Sequence, residues 1–258
     1  MRRTKISLGK WRFGVVSILM LYFLLSVVLP VLALAYWALV GSSESNWHEL
    51  IGALGNSLFI AFIAGGVIGI FAIAIAVWQL KYQSATSNFV SGSVWASHAL
   101  PAVVVGLALV FVGANLTPVI YQTIWLLLIA YLILFLPNAL GAITTPLAQV
   151  PNSLEQVAGT MGFSKTQAIY RVLLPAAKSG VLAGVSLAAL AVLKELPATL
   201  LLHPTGMETL ATELWQATET LSYSKAAPYA LALIIIAGVP ALVLNRQARR
   251  LVAEVSAK

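Results

Sequence analysis

The sequence predicts an all-α, polytopic membrane protein with six transmembrane helices, and three observations carry that prediction. Of the 258 residues, 60% are hydrophobic and only 9% are charged, with a mean hydropathy of +0.93. A water-soluble domain carries roughly 25% charged residues because its surface must be hydrated, so the medium around this chain is mostly lipid. The charge-free apolar runs also have the length of a bilayer crossing, about 20 residues. Finally, the basic residues fall on one side of those runs, which is how membrane helices are oriented.

In chain order, residues 13–40 form the first uncharged run, with Pro30 as an expected kink. Its basic start (Arg2, Arg3, Lys5, Lys10, Arg12) fits the head of a signal sequence, but the run exceeds the roughly 7–15 residues of a cleavable core. It reads as a retained anchor. The second run, 51–80, contains Gly65, Gly66 and Gly69. From 82 to 154 there is no charge, so polar and turn residues must divide the stretch. Residues 84–93 and 113–118 do so, leaving spans near 94–112 and 119–136. A fifth span covers 180–202 and a sixth 226–244. Gly65/Gly69 and Gly180/Gly184 have the spacing that lets membrane helices approach closely, and they are read as packing positions.

With the N-terminus inside, the inner segments are 1–12, 81–93, the loop 137–179 and the tail 245–258. They hold Arg2, Arg3, Lys5, Lys10, Arg12, Lys81, Lys165, Arg171, Lys178, Arg246, Arg249, Arg250 and Lys258, thirteen of the fifteen basic residues. The outer segments hold Lys225 together with Glu44, Glu49, Glu208, Glu213 and Glu219. Both termini are therefore expected on the cytoplasmic side, which requires an even number of spans. The net charge of +7 follows from this topology, so no nucleic-acid partner is inferred. With no cysteine, disulfides, thiolate nucleophiles and Cys-ligated metals are excluded.

The loop 137–179 carries more order than a connector needs. Ser153 and Gln156 have capping-box spacing, opening a short helix with Leu154, Val157 and Met161 on one face. Gly162 can end it in a left-handed conformation. Ser164 and Gln167 form a second capping box, opening a helix through Ile169, Val172 and Leu173 that Pro175 is expected to stop. The stretch from Gly159 to Thr166 nearly matches a phosphate-binding loop, but Ser164 stands at the second glycine. No apolar strand precedes it, and the chain has no Asp to hold magnesium. If ATP is involved, another chain binds it.

Gln156, Val157, Ala158, Gly162, Val172, Leu174 and Pro175 fall at the spacing of the signature loop of ABC importer permeases. Ala158, Gly162, Leu174 and Pro175 match outright; Gln156 and Val157 depart, with Glu155 one place before the family's Glu. The chain therefore resembles the membrane-spanning subunit of a type I ABC importer. Asn56, Ser57 and Leu58 resemble the start of that family's membrane core. The stretch from Leu193 to Leu202, with Thr209, Leu210, Ala211 and Trp215, resembles the ferric-iron branch, whose permeases are usually fused double-length chains. This chain looks like the second half, and Leu8 to Arg12 resembles the segment after the linker between halves.

The resemblance implies a bacterial inner-membrane permease domain over 13–244, flanked by basic segments 1–12 and 245–258. It implies partners: ATP-binding subunits carrying ATP and magnesium, a second permease half, an extracytoplasmic binding protein and membrane lipid. It implies no enzymatic step and no cofactor in this chain. The loop residues expected to meet the ATP-binding subunit are Glu155, Gln156, Ala158, Gly162, Phe163, Ser164, Leu174 and Pro175. Thiamine, polyamine and phosphonate importers share the architecture.

Lys194 and Glu195 lie inside the fifth span. A charge at mid-bilayer costs roughly 2.5–3.5 kcal/mol on insertion scales, so it should face protein or water. They are candidates for the translocation path or gate, with Pro197 loosening the helix one turn on; snorkelling or pairing is the structural alternative. His48, His98 and His203 are scattered and form no evident metal site. The stretch Ser91, Gly92, Ser93 with His98 places no base on a serine, which argues against an intramembrane protease. A gradient-driven secondary transporter is the rival class; it would show inverted repeats or several intramembrane carboxylates, and only Glu195 qualifies.

Overall fold

The computed structural model describes residues 11–40, 46–82 and 84–257, with side chains left out at 152, 239 and from 243 onward. The basic residues Arg2, Arg3, Lys5, Lys10 and Lys258, together with Leu8, Gly9 and Glu44, lie outside the described residues. Every element among the described residues is helical. Four helices are long and apolar enough to cross a bilayer, and two bent pairs bring the number to six when each counts as one span.

The chain forms two compact units. The first, Met1–Gly52 with Glu213–Lys258, is built on α1 (Arg12–Val40) and α11 (Tyr223–Ala257). The second half of α1 packs along α11, with the rings of Trp37 and Tyr223 5.9 Å apart. Within this unit Lys225 lies 3.7 Å from Glu49.

The second unit, Ala53–Thr212, holds the rest. Its elements are α2 (Trp47–Lys81, entering from the first unit), α3 (Ala85–Ser97), α4 (Ala102–Asn115), α5 (Ile124–Ala148), α6 (Asn152–Thr160), α7 (Lys165–Ala176), α8 (Lys178–Leu193) and α9 (Pro197–Leu202). The helix α10 (Leu210–Glu219) begins in this unit. The core is α5, whose Leu126, Leu127, Ala130, Tyr131, Ala139, Leu140, Ile143 and Leu147 are each at most 2% exposed.

Because lipid is as apolar as a leucine side chain, helices in a membrane associate through close packing rather than hydrophobic burial. Glycine supplies that closeness here. A Cβ on Gly180 would fall 2.0 Å from Pro146 Cγ, and one on Gly184 2.5 Å from Ile143 Cγ1, so α8 lies tight and antiparallel against α5. Gly65 and Gly69 of α2 seat the opposite face of α8 at Ala189 and Val185. Gly106 of α4 admits Ala198 and Leu201 of α9. Both small-residue pairs are packing positions, as their spacing predicts.

Several expected boundaries are corrected. Residues 84–93 are not a turn: Ser84 accepts a hydrogen bond from the Ser87 backbone and opens α3, which meets α4 at a 107° bend. The polar side chains are absorbed locally; Ser93 Oγ, for example, donates to the Phe89 carbonyl. The divider near 113–118 does break the chain, but α5 then begins at Ile124 and continues through Pro137 and Pro146 to Ala148. The loop expected from 137 therefore starts at Gln149. Prolines are tolerated because turns of other pitch re-satisfy the freed backbone. In α1 a π-turn at Leu24–Val28 precedes Pro30, and in α7 one at Ile169–Leu173 precedes Pro175. The helix thus passes Pro175 to Ala176 and bends by 78° into α8. The fifth span is not continuous either: α8 stops at Leu193, and α9 restarts at Pro197.

Candidate functional site

The loop between α5 and α8 folds as two short helices about a fixed elbow. Pro151, extended at φ −61° and ψ 134°, caps α6, so Ser153 and Gln156 lie inside the helix and the first capping box does not form. A proline before the first turn loses nothing, because the N–H it lacks would have had no partner there. At the other end the Gly162 amide donates to the Gly159 carbonyl (3.0 Å) and the Phe163 amide to the Ala158 carbonyl (3.0 Å), the Schellman arrangement. It requires a left-handed residue, and Gly162 has φ +82°. Nothing lies within 4 Å of a Cβ placed there, so the backbone alone demands glycine.

The second capping box forms as its spacing predicts: Gln167 N donates to Ser164 Oγ (3.3 Å) and Ser164 N to Gln167 Oε1 (2.9 Å). The Arg171 guanidinium sits 5.6 Å above the ring of Phe163, which ties the elbow to α7. Of the predicted loop residues, Ala158 is buried, Phe163 and Leu174 are half-buried, and Glu155, Gln156, Gly162, Ser164 and Pro175 are exposed. Leu154, Val157 and Met161 leave an apolar face 41%, 54% and 68% exposed. Glu155 pairs with Lys81 at the end of α2, over a cavity of about 270 Å³ whose lining includes Leu147, Pro151, Ala168 and Val172.

A second cluster forms where α8 breaks. Glu195 is 8% exposed and caps α9: Oε1 accepts from the Ala198 amide (3.0 Å), and Oε2 from the Thr199 amide (2.9 Å) and hydroxyl (2.6 Å). Thr199 has one hydroxyl proton, given to Glu195, so the Tyr131 hydroxyl donates to Thr199 Oγ1 at 2.7 Å. Further along, His203 Nδ1 meets the Thr199 carbonyl at 2.9 Å and its Nε2 lies 3.6 Å from Glu208 Oε1. Asn56 Nδ2 donates to the Glu208 carbonyl (2.9 Å), and the Leu210 amide donates to Ser57 Oγ (2.8 Å). The space among Ser57, Tyr131, Glu195, Thr199 and Thr209 has no room for a water molecule.

The structure therefore brings Glu195 into a sealed polar cluster, while Lys194 and Pro197 are exposed beside it. The sequence reading missed Tyr131 and Thr199 as its members, and beside it Glu208, whose Oε2 accepts from the Thr212 hydroxyl (3.0 Å). The available signal was Thr199, four residues after Glu195 and so within reach of its side chain on a helix. His48, His98 and His203 do not converge, and among the described residues no three metal-ligating side chains come together.

A helical membrane subunit with this packing and a capped elbow between its core helices has the fold of a type I ABC importer permease. The chain belongs to the family described as binding-protein-dependent transport system inner membrane component, whose profile matches residues 65–256. It is 32% identical over 230 residues to the Fe(3+)-transport system permease protein FbpB 2 of Haemophilus influenzae, covering 88% of this chain and 45% of that protein. The chain thus spans about half the length of that relative. It is 26% identical over 255 residues to a protein of Salmonella typhimurium named for 2-aminoethylphosphonate transport, the permease PhnV, covering 94% and 96% of the two chains. Two solved structures share the fold. One is a bacterial ABC transporter involved in the import of alginate (TM-score 0.71, 14% identity, 92% of this chain and 94% of that one). The other is the inward-facing MetNI methionine transporter (TM-score 0.60, 15% identity, 78% and 95%).

Proposed function

We propose that this chain is the translocation subunit of an ATP-driven importer that takes ferric iron from an extracytoplasmic binding protein. It spans the bacterial inner membrane with both termini in the cytoplasm. It works with a second permease half and with ATP-binding subunits that carry the nucleotide and magnesium. No bond is made or broken in this chain, and it needs no cofactor of its own. The observation that carries the coupling role is the rigid elbow at Gly162 beside the uncovered apolar face of α6. A connector has no use for two capped helices, one of them presenting leucine, valine and methionine to water. The sealed cluster at Glu195, where α8 breaks, supports a closed gate, with Lys194 and Pro197 on its exposed side.

Gly162→Val tests this reading. A β-branched side chain is strongly disfavoured at φ +82°, yet the empty space around it keeps the damage local. The variant should insert normally but fail to hold the ATP-binding subunit, or hold it without stimulated hydrolysis. Assembly and coupling equal to the parent would reduce the loop to a connector.

Iron is supported by the 32% identity to the Haemophilus protein. The match to PhnV along nearly its whole length supports a phosphonate as the second reading. Uptake of labelled ferric iron against labelled 2-aminoethylphosphonate, each with its binding protein, separates the two.

A further inference from the structure

We propose that α2 is a connecting rod between the coupling loop and the sealed cluster, and that Lys81 and Asn56 are the positioning residues at its two points of contact. This rests on the permease reading above. Lys81 pairs with Glu155 of α6; the Lys81 side chain is 16% exposed and that of Glu155 47%, so the lysine is held against the helices while its partner faces water. The loop sits over the cavity of about 270 Å³ at that point, which leaves it room to move against the helices. At the far end Asn56 Nδ2 donates to the Glu208 carbonyl, and the buried Ser57 hydroxyl receives the Leu210 amide.

Between Asn56 and Lys81 the helix is unbroken and free of proline, unlike α1, α5 and α11. At about 1.5 Å per residue it holds the two contacts roughly 38 Å apart. Gly65 and Gly69 seat it closely on α8 along the way. From Glu208, whose Oε1 lies 3.6 Å from His203 Nε2 and pairs with it when the imidazole is protonated, the linkage continues to the Thr199 carbonyl, and so to α9. Displacement of α6 by an ATP-binding subunit thereby reaches the break between α8 and α9 through one rigid element.

The test uses the assembled importer in proteoliposomes, reading ATP hydrolysis with and without loaded binding protein. Lys81→Glu and Asn56→Ala should each lower the stimulated increment at least about fivefold, the low end of coupling between linked sites. Unstimulated hydrolysis and the amount of assembled complex should stay at the parent level, and Lys81→Arg should keep the stimulation. Because both residues serve one linkage, the double variant should lose no more than the worse single. Lys81→Gln and Ser57→Ala stand in if either first choice does not accumulate. Full stimulation in either single variant, or losses that multiply in the double, would overturn the rod. A parent that shows no stimulation at all would instead defeat the permease reading.

Discussion

Glu195 has an adjacent lysine, yet the two do not pair. Neighbouring helical positions point about 100° apart, and here the helix has ended: Lys194 closes α8 and faces outward, while Glu195 turns inward to cap α9. Its carboxyl group satisfies two backbone amides, of Ala198 and Thr199, that would otherwise be buried without partners, and also accepts from the Thr199 hydroxyl. Each such orphaned group costs about 1–3 kcal/mol. Glu195→Ala therefore frees α9 from its cap and breaks the relay to Tyr131. Transport per inserted molecule is expected to fall by about tenfold or more, the equivalent of one such loss at ~1.4 kcal/mol, with a smaller fall in the amount inserted. Uptake normalised to membrane protein checks this, and normal uptake would leave Glu195 a packing role only. The sequence made Glu195 conspicuous because a charge in an apolar span is costly. It could not reveal that the carboxyl group is spent on backbone, because that depends on where the helix breaks.

At the level of the helix, glycine spacing was the legible signal and proline the misleading one. Gly180 and Gly184 share a face because they are four apart, and that face meets α5. Pro30 reads as a kink, Pro137 as the start of a loop and Pro175 as a stop, yet helices run through all three, and through Pro146. Two of them follow π-turns, whose wider hydrogen-bond step relieves the local mismatch. Only tertiary packing reveals that remedy. The same limit hid α3: serine and asparagine at 84–93 weaken helix propensity, but helical serine can return its hydroxyl to the backbone, as Ser93 does. The glycine face gives a stability prediction. Gly184→Leu would push into Ile143 and the Ala139 carbonyl, and overpacking of this kind costs about 1–3 kcal/mol. A lower melting temperature in detergent is expected, whereas Gly159→Ala, in a helix and with nothing within 4 Å, should leave it unchanged or slightly higher. Equal melting of the two variants would remove the close-packing account of α8.

For the whole molecule the open choice is how many times the chain crosses. Four helices are long and apolar enough to span by themselves, and two bent pairs either cross or re-enter together. Both counts are even, so both return the C-terminus to the side of the N-terminus, and a reporter after Lys258 does not tell them apart. Nor does one near Glu213, which lies on the side opposite the termini in either count. The loops on each side of α5 do distinguish them, because α5 runs toward the side of the termini in a six-span chain and away from it in a four-span one. Charge favours six: Lys165, Arg171 and Lys178 follow α5, whereas the turn before it, between Leu116 and Thr123, carries no basic residue. The chain has no cysteine, so a single introduced thiol reports without background. Val119 is 91% exposed in the turn before α5 and Met161 is 68% exposed in the elbow after it. Val119→Cys should react with a membrane-impermeant maleimide in intact cells whose outer envelope has been opened. Met161→Cys should react only after the inner membrane is breached. The reverse pattern would put the elbow outside, beyond reach of any ATP-binding subunit, and the six-span topology and the coupling role would fall together.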